Sequence, residues 1–227
     1  MTAVLSSLVV VDRTASPAAR FTPLGRLAAA GTIVVGASLQ VLAFALIPDF
    51  DKTVDRLRWV ADHNVQAQLS KTFDLLAVPF LLGGAIVYVL LGRDRSPRLA
   101  WTGGILLGFG MCGLMAVQGL ETLEYALAQD GRFDLASLAD AVDNISTAPA
   151  VATAVLFLVG AAFGILVTSV SLWRSRAAPR AAAALLVVFF VVDAVLSEPL
   201  VAHVIALVGA VWIAVAILRS RPPAEAR

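Results

Sequence analysis

The side chains in this chain whose types and spacing could do chemistry are Asp74, Gln118, Glu121, Glu124, Asp193, Glu198 and His203. Glu121 and Glu124 stand at i and i+3, as do Gln118 and Glu121, so on a helix they share one face. Two carboxylates that close in a low dielectric resist ionising together, which predicts either a retained proton or a shared cation. Asp193 and His203 lie at similar distances on either side of Ser197-Glu198-Pro199. A hairpin there would set a carboxylate against an imidazole, the makings of a proton relay, a pH sensor or part of a metal site. A hydrolytic zinc site usually takes three protein ligands, commonly histidines, whereas His63 and His203 are the only two here. No catalytic, nucleotide-binding or cofactor motif is legible. The seven residues therefore define a candidate proton or cation site with no catalytic set, metal or cofactor attached. The competing reading is structural. Glu121, Glu124 and Glu198 would sit at a water boundary, Asp74 near a helix start where it meets the dipole, and Asp193 with His203 would only lock a hairpin.

All seven lie in or beside long apolar runs. The 227 residues are 59% hydrophobic and 15% charged, with mean hydropathy +0.88, too apolar for an ordinary soluble domain. A helix needs ~20 apolar residues to cross the hydrocarbon core. The runs give spans at 27–47, 69–91, 99–120 and 150–173, the third with room to continue to Leu127. Residues 181–218 lack Lys and Arg altogether and are too long for one crossing, so Pro199 and the residues before it predict a fold-back. That yields spans 181–197 and 200–218. The fold class expected is all-α, a polytopic transmembrane bundle of six spans, residues 27–219, between cytoplasmic tails at 1–26 and 220–227. A five-span arrangement with 181–218 re-entrant would put the last arginines outside.

Orientation follows from arginine. Of 17 Lys and Arg residues, 12 fall in four clusters: Arg13, Arg20 and Arg26; Arg93, Arg95 and Arg98; Arg174, Arg176 and Arg180; Arg219, Arg221 and Arg227. Cytoplasmic loops retain such an excess, so the pattern predicts both termini inside. Trp101, Trp173 and Trp212 fall near the same boundary, where indoles favour headgroups. The separated clusters form no continuous basic surface, which argues against nucleic acid as a partner. The one cysteine, Cys112, excludes an intrachain disulfide. Near the N terminus the first basic residue, Arg13, follows the apolar stretch from Ala3 to Val11. A cleaved signal peptide has the opposite order, so the segment reads as a tail.

This topology places the ionisable groups toward the outer face, with Lys71 close enough to a span edge to snorkel into water and Gln40 deeper in the first span. Two outer segments, 49–70 and 129–149, carry Val54, Leu57 and Val60, and Leu135, Leu138, Val142 and Ile145, at helical spacing. Both are expected as short interfacial helices within solvated loops. Gly104 with Gly108 and Gly160 with Gly164 are small-xxx-small pairs, candidate faces for close helix packing or for a membrane-protein partner or second copy. Pro79 with Gly83 and Gly84 is a candidate kink in the second span.

Phe73-Asp74-Leu75-Leu76 at the second span, then Leu90-Leu91-Gly92-Arg93 and Pro97-Arg98-Leu99-Ala100-Trp101-Thr102-Gly103-Gly104, give a layout that resembles small polytopic integral membrane proteins of bacteria whose role is uncharacterised. The resemblance implies a bacterial plasma membrane and carries over no site residue. The function expected is that of a non-enzymatic accessory, sensor or assembly component with an acidic outer face. The alternative is a small proton- or cation-coupled transporter, which would need a polar path through the cytoplasmic half.

Overall fold

The computed structural model describes residues 21–220. The tail readings at 1–20 and 221–227, and the arginines within them, lie outside the described residues. Among the described residues there are eight helices and no strand: α1 Pro23–Leu46, α2 Thr53–Asp62, α3 Asn64–Gly92, α4 Pro97–Asp130, α5 Leu135–Asp143, α6 Ala148–Ser175, α7 Arg180–Ala194 and α8 Pro199–Arg219. Local sequence explains their ends. Proline opens α1, α4, α6 and α8 within the first two positions, where its missing N–H leaves no bond unmade. The Thr22 hydroxyl accepts from the Gly25 N–H at 3.0 Å to cap α1. Gly131, with φ 72°, stops α4 in the left-handed conformation that a side chain disfavours.

Five of the helices, α1, α3, α4, α6 and α8, are long and apolar enough to cross a membrane. The fifth apolar stretch differs from expectation. Its helix, α7, has 15 residues and ends at Ala194 rather than 197, so at ~1.5 Å per residue it is about 22 Å long, short of the ~30 Å core. The chain still folds back there, through a turn in which Ser197 takes φ 55°, and α7 packs against α8.

Neighbours in space run α1, α3, α4, α6, α7, α8 and back to α1, closing a ring of six helices, and α3 also meets α6 across the interior. The tightest seam is α4 on α6, and glycine makes it. A Cβ on Gly160 would lie 2.5 Å from the backbone nitrogen of Gly110, and one on Gly113 would lie 2.5 Å from that of Phe157. Without a hydrophobic drive between helices in lipid, such close approach is what dispersion needs. Gly164 packs on Leu107 and Gly104 on Val89 of α3, while Gly108 faces open space. Three of the four predicted small-residue positions thus serve contacts inside the chain. α3 remains helical through Pro79.

The two ends of the ring are built differently. At the arginine-rich end, Leu91, Leu172, Ala182, Ile213 and Ile217 form a dense apolar cluster. Arginines there close helix ends: Arg95 donates to the Ser175 carbonyl at 2.9 Å, and Arg26 donates to that of Ser220. At the other end α2 and α5 do not lie apart as separate interfacial helices. They pack on each other and on α4 around Leu57, Val60, Tyr125, Ala128 and Ala139, and the Thr53 hydroxyl donates to the Asp143 carboxylate at 2.6 Å. The result is a cap over one end of the ring.

Candidate functional site

Beneath that cap lies a buried charge network centred on Lys71. α3 begins at Asn64, so Lys71 sits two turns inside it and Asp74 one turn further on, both pointing into the ring and both over nine-tenths buried. The Lys71 ammonium meets three acceptors: Gln118 Oε1 at 2.6 Å, Glu121 Oε2 at 2.5 Å and Asp74 Oδ2 at 3.4 Å. An ammonium has three N–H donors and no more, so its capacity is full. Its remaining side faces the Tyr125 ring, with Nζ 5.2 Å from the centroid, a favourable cation–π placement. The other Asp74 oxygen accepts from Gln40 Nε2 at 2.6 Å, which ties α1 into the cluster.

The second cation comes from the cap. Arg56 of α2 reaches Glu124 Oε2 at 2.8 Å and Glu121 Oε1 at 3.7 Å. The paired carboxylates at 121 and 124 therefore do share cations, and the protein itself supplies them. Two fixed cations against three carboxylates leave the network one formal negative charge when all are ionised.

Asp193 and His203 stand apart from this network. His203 Nδ1 donates to the Pro199 carbonyl at 2.7 Å, and its ring stacks on Phe44 at 4.2 Å with Phe189 edge-on at 5.3 Å. A carbonyl can only accept, so in the neutral ring Nε2 is left as an acceptor. Among the described residues Asp193 makes no hydrogen bond or ion pair, and none joins it to His203.

One cavity unites these groups. It has a volume of about 660 Å3 and all six ring helices line it, with Gln40 of α1, Asp74 of α3, Gln118 of α4, Ala162 of α6, Asp193 of α7 and His203 of α8 on its wall. Its capped end reaches Pro48, Asp49, Phe50 and Arg56. Away from the cap the wall is mostly apolar, through Met111, Leu114, Phe157 and Ile165, to Tyr88 and Thr168. Ligand sites are typically of this size and character, apolar walls with a few convergent polar groups.

Of the seven residues expected from the sequence, Asp74, Gln118 and Glu121 converge on Lys71, and Glu124 joins them through Arg56. Asp193 and His203 share the cavity without touching the network. Glu198 is exposed beside the hairpin turn and does not line the cavity. Lys71 was expected to snorkel into water and is instead the buried hub. Gln40, Arg56 and Tyr125 complete the site and were outside the expected set. The signal for Lys71 was its i,i+3 spacing from Asp74, an opposite-charge pair on one helix face. Among the described residues no three His, Cys, Asp or Glu side chains gather as metal ligands. No known protein family, curated protein or solved structure matches the chain.

Proposed function

We propose that this is a six-span plasma-membrane protein of bacterial type, both termini cytoplasmic, that binds a small ligand in its central cavity beneath the outer cap and acts without catalysis, as a sensor or accessory component. The observation that carries this reading is the cavity of about 660 Å3 bounded by all six helices and headed by a buried charge network. Ionisable groups at such depth are costly in a membrane and mark sites by default. The arginine clusters supply the orientation, which sets the capped end outside. A second copy, or another membrane protein, meeting the chain at Gly108 belongs to the same proposal.

Native mass spectrometry of protein extracted from membranes tests the binding role. The parent is expected to carry a non-covalent ligand that Ala162→Trp, which fills the cavity, does not retain. A parent that sprays bare, and that no compound from a membrane extract protects against heat, would refute it. Orientation is tested in a Cys112→Ser background. Ser137→Cys should react with an impermeant thiol reagent from outside and Ser96→Cys should not; the opposite result inverts the topology.

Length of the cavity favours a second reading, a small proton- or cation-coupled transporter. The stretch of α3 from Ser70 to Tyr88 touches it and spans roughly 27 Å at ~1.5 Å per residue, close to the ~30 Å of a hydrocarbon core. Against transport stands the wall beyond the network, where Thr168 and Tyr88 are the main polar groups. Proton flux into liposomes on addition of substrate separates the two readings.

A further inference from the structure

We infer that the cavity takes a lipophilic cation, an organic ammonium or phosphonium on a bulky apolar body, which enters sideways from the bilayer between α6 and α7 and is held by Asp193. This rests on the ligand-binding reading above and adds the ligand's class and route.

Charge balance gives the sign. Asp49, Asp74, Glu121 and Asp193 line the cavity against only Arg56 and Lys71 as fixed cations, two formal negative charges in excess when all are ionised. Neither cation is available to an anion. All three Lys71 donors have acceptors, and Arg56 is engaged by Glu121 and Glu124. An anionic ligand would have to break those pairs and leave a buried carboxylate uncompensated, which is strongly unfavourable. A cation breaks none. Asp74 has both oxygens occupied, by Gln40 and Lys71, whereas Asp193 has no ion-pair or hydrogen-bond partner among the described residues. Beside it on the wall are Phe189 and Phe190, and aromatic faces attract a cation most strongly where water is excluded. With its Nδ1 hydrogen held by Pro199, His203 in its neutral form presents no second N–H to repel a cation.

Burial along the ring gives the route. α6 buries no residue between Ala148 and Val159, and α7 buries none beyond Leu186. The two helices are packed near the arginine-rich end, around Leu172, Ala178 and Ala182, and bury no residue of their own toward the cap. Leu158 of α6 lines the cavity and is 62% exposed, so packed side chains do not seal the cavity wall along this stretch of α6. A ligand arriving there must partition into the bilayer first, which an apolar body ensures and a hydrated inorganic ion cannot do.

Saturable binding to the full-length chain in nanodiscs, measured by equilibrium dialysis with empty nanodiscs subtracted, tests this with tetraphenylphosphonium and its near-isosteric anion tetraphenylborate. The parent is expected to bind the phosphonium at least tenfold more tightly than the borate. Asp193→Asn should weaken the phosphonium at least tenfold, Asp193→Glu should stay within about threefold of the parent, and Ala162→Trp should abolish binding. Saturable borate binding of equal or greater affinity, lost in Ala162→Trp, overturns the cation inference and leaves the cavity reading standing. Phosphonium affinity unchanged in a folded Asp193→Asn overturns the role of Asp193. If neither probe binds saturably to the parent, the inference fails, and the native mass measurement then decides the cavity reading alone. Should Asp193→Asn not fold, the parent's preference between the two probes decides.

Discussion

The two ends of the ring use opposite means to hold six helices together. Toward the arginine-rich end the interior is dry and small-grained: Leu91, Leu172, Ile213 and Ile217 are almost wholly buried among alanines, and the charges lie outside, on helix-terminal carbonyls. Toward the cap the charges are inside. Lys71 and Asp74 are buried deeper than many of the leucines around them, and a cavity takes the place of a packed core. Dense apolar packing needs only that volumes fit, and it tolerates substitution of similar shape. A buried charge network stabilises only while complete, since each member is the reason the next can be ionised out of water. The difference makes the capped end the less forgiving construction of the two.

The sharpest way to break the comparison is to delete the hub. Lys71→Met leaves Asp74 with only Gln40 and Glu121 with only a 3.7 Å contact to Arg56, and breaking a buried pair by removing one partner typically destabilises by about 3–5 kcal/mol. Unfolding in mixed micelles reads the loss. Lys71→Met/Asp74→Asn should recover at least half of it, because the most buried uncompensated carboxylate is then gone. At the other end Leu172→Ala should cost ~2–5 kcal/mol through its cavity, with no second substitution of charge able to restore it. If Lys71→Met melts like the parent, the network contributes nothing and the contrast between the ends collapses.

A smaller effect sharpens the comparison at two hydroxyls. Among the described residues Thr168 Oγ1 and Ser171 Oγ are buried with no hydrogen-bond partner. Ser171 belongs to the packed end, close against Gly92, while Thr168 lines the cavity. Burying an unpaired polar group costs ~1–3 kcal/mol, so Ser171→Ala is expected to stabilise by about that amount. Thr168→Val, on a wall with open volume beside it, should gain less. Equal gains at both positions would mean that the cavity is as dry as the core.

How far the sequence disclosed this arrangement depends on the range of the interaction concerned. The long apolar helices follow from run length, and the fold-back before α8 from Pro199, both local properties. The apolar stripe of α2 was also legible, and Leu57 and Val60 are its buried face. What that face packs against was not, because Arg56 meets Glu124 across 68 residues of chain and nothing in either segment encodes the other. Lys71 departs from its expected place for a related reason. The apolar run opens at Leu69, which puts Lys71 at a membrane edge, but polar Asn64, Gln66 and Gln68 extend α3 upward and the cap covers it. Gln40, a lone amide among apolar residues, gave no hint of its partner until α1 and α3 were side by side. Length mattered too: α7 stops three residues short of its apolar run because the turn at Ser197 begins before the proline does.

The smallest expected effect lies outside the ring, in the cap, and separates the cap's own folding from the network it covers. Asp134 accepts from the Ser137 hydroxyl at 2.7 Å and from the Ser137 N–H at 2.9 Å. It thereby caps α5, and these bonds hold its carboxyl below the ordinary carboxylate range, the side-chain bond first. Hydrogen bonds to the charged form favour that form. A depressed folded-state pKa means the cap's contribution is fully present above the unfolded value near ~3.9 and is lost as pH falls through the lower folded one. Amide exchange in α5 should therefore stay slow from neutral pH down to the unfolded value and quicken, after correction for intrinsic rates, only below it. Asp134→Asn should flatten that dependence and leave the packing of α4 on α6 untouched. If lowering the pH over this interval loosens α2 and α5 together even in Asp134→Asn, the trigger is the carboxylates around Arg56 rather than the α5 cap, and the cap and the network beneath it open as one unit.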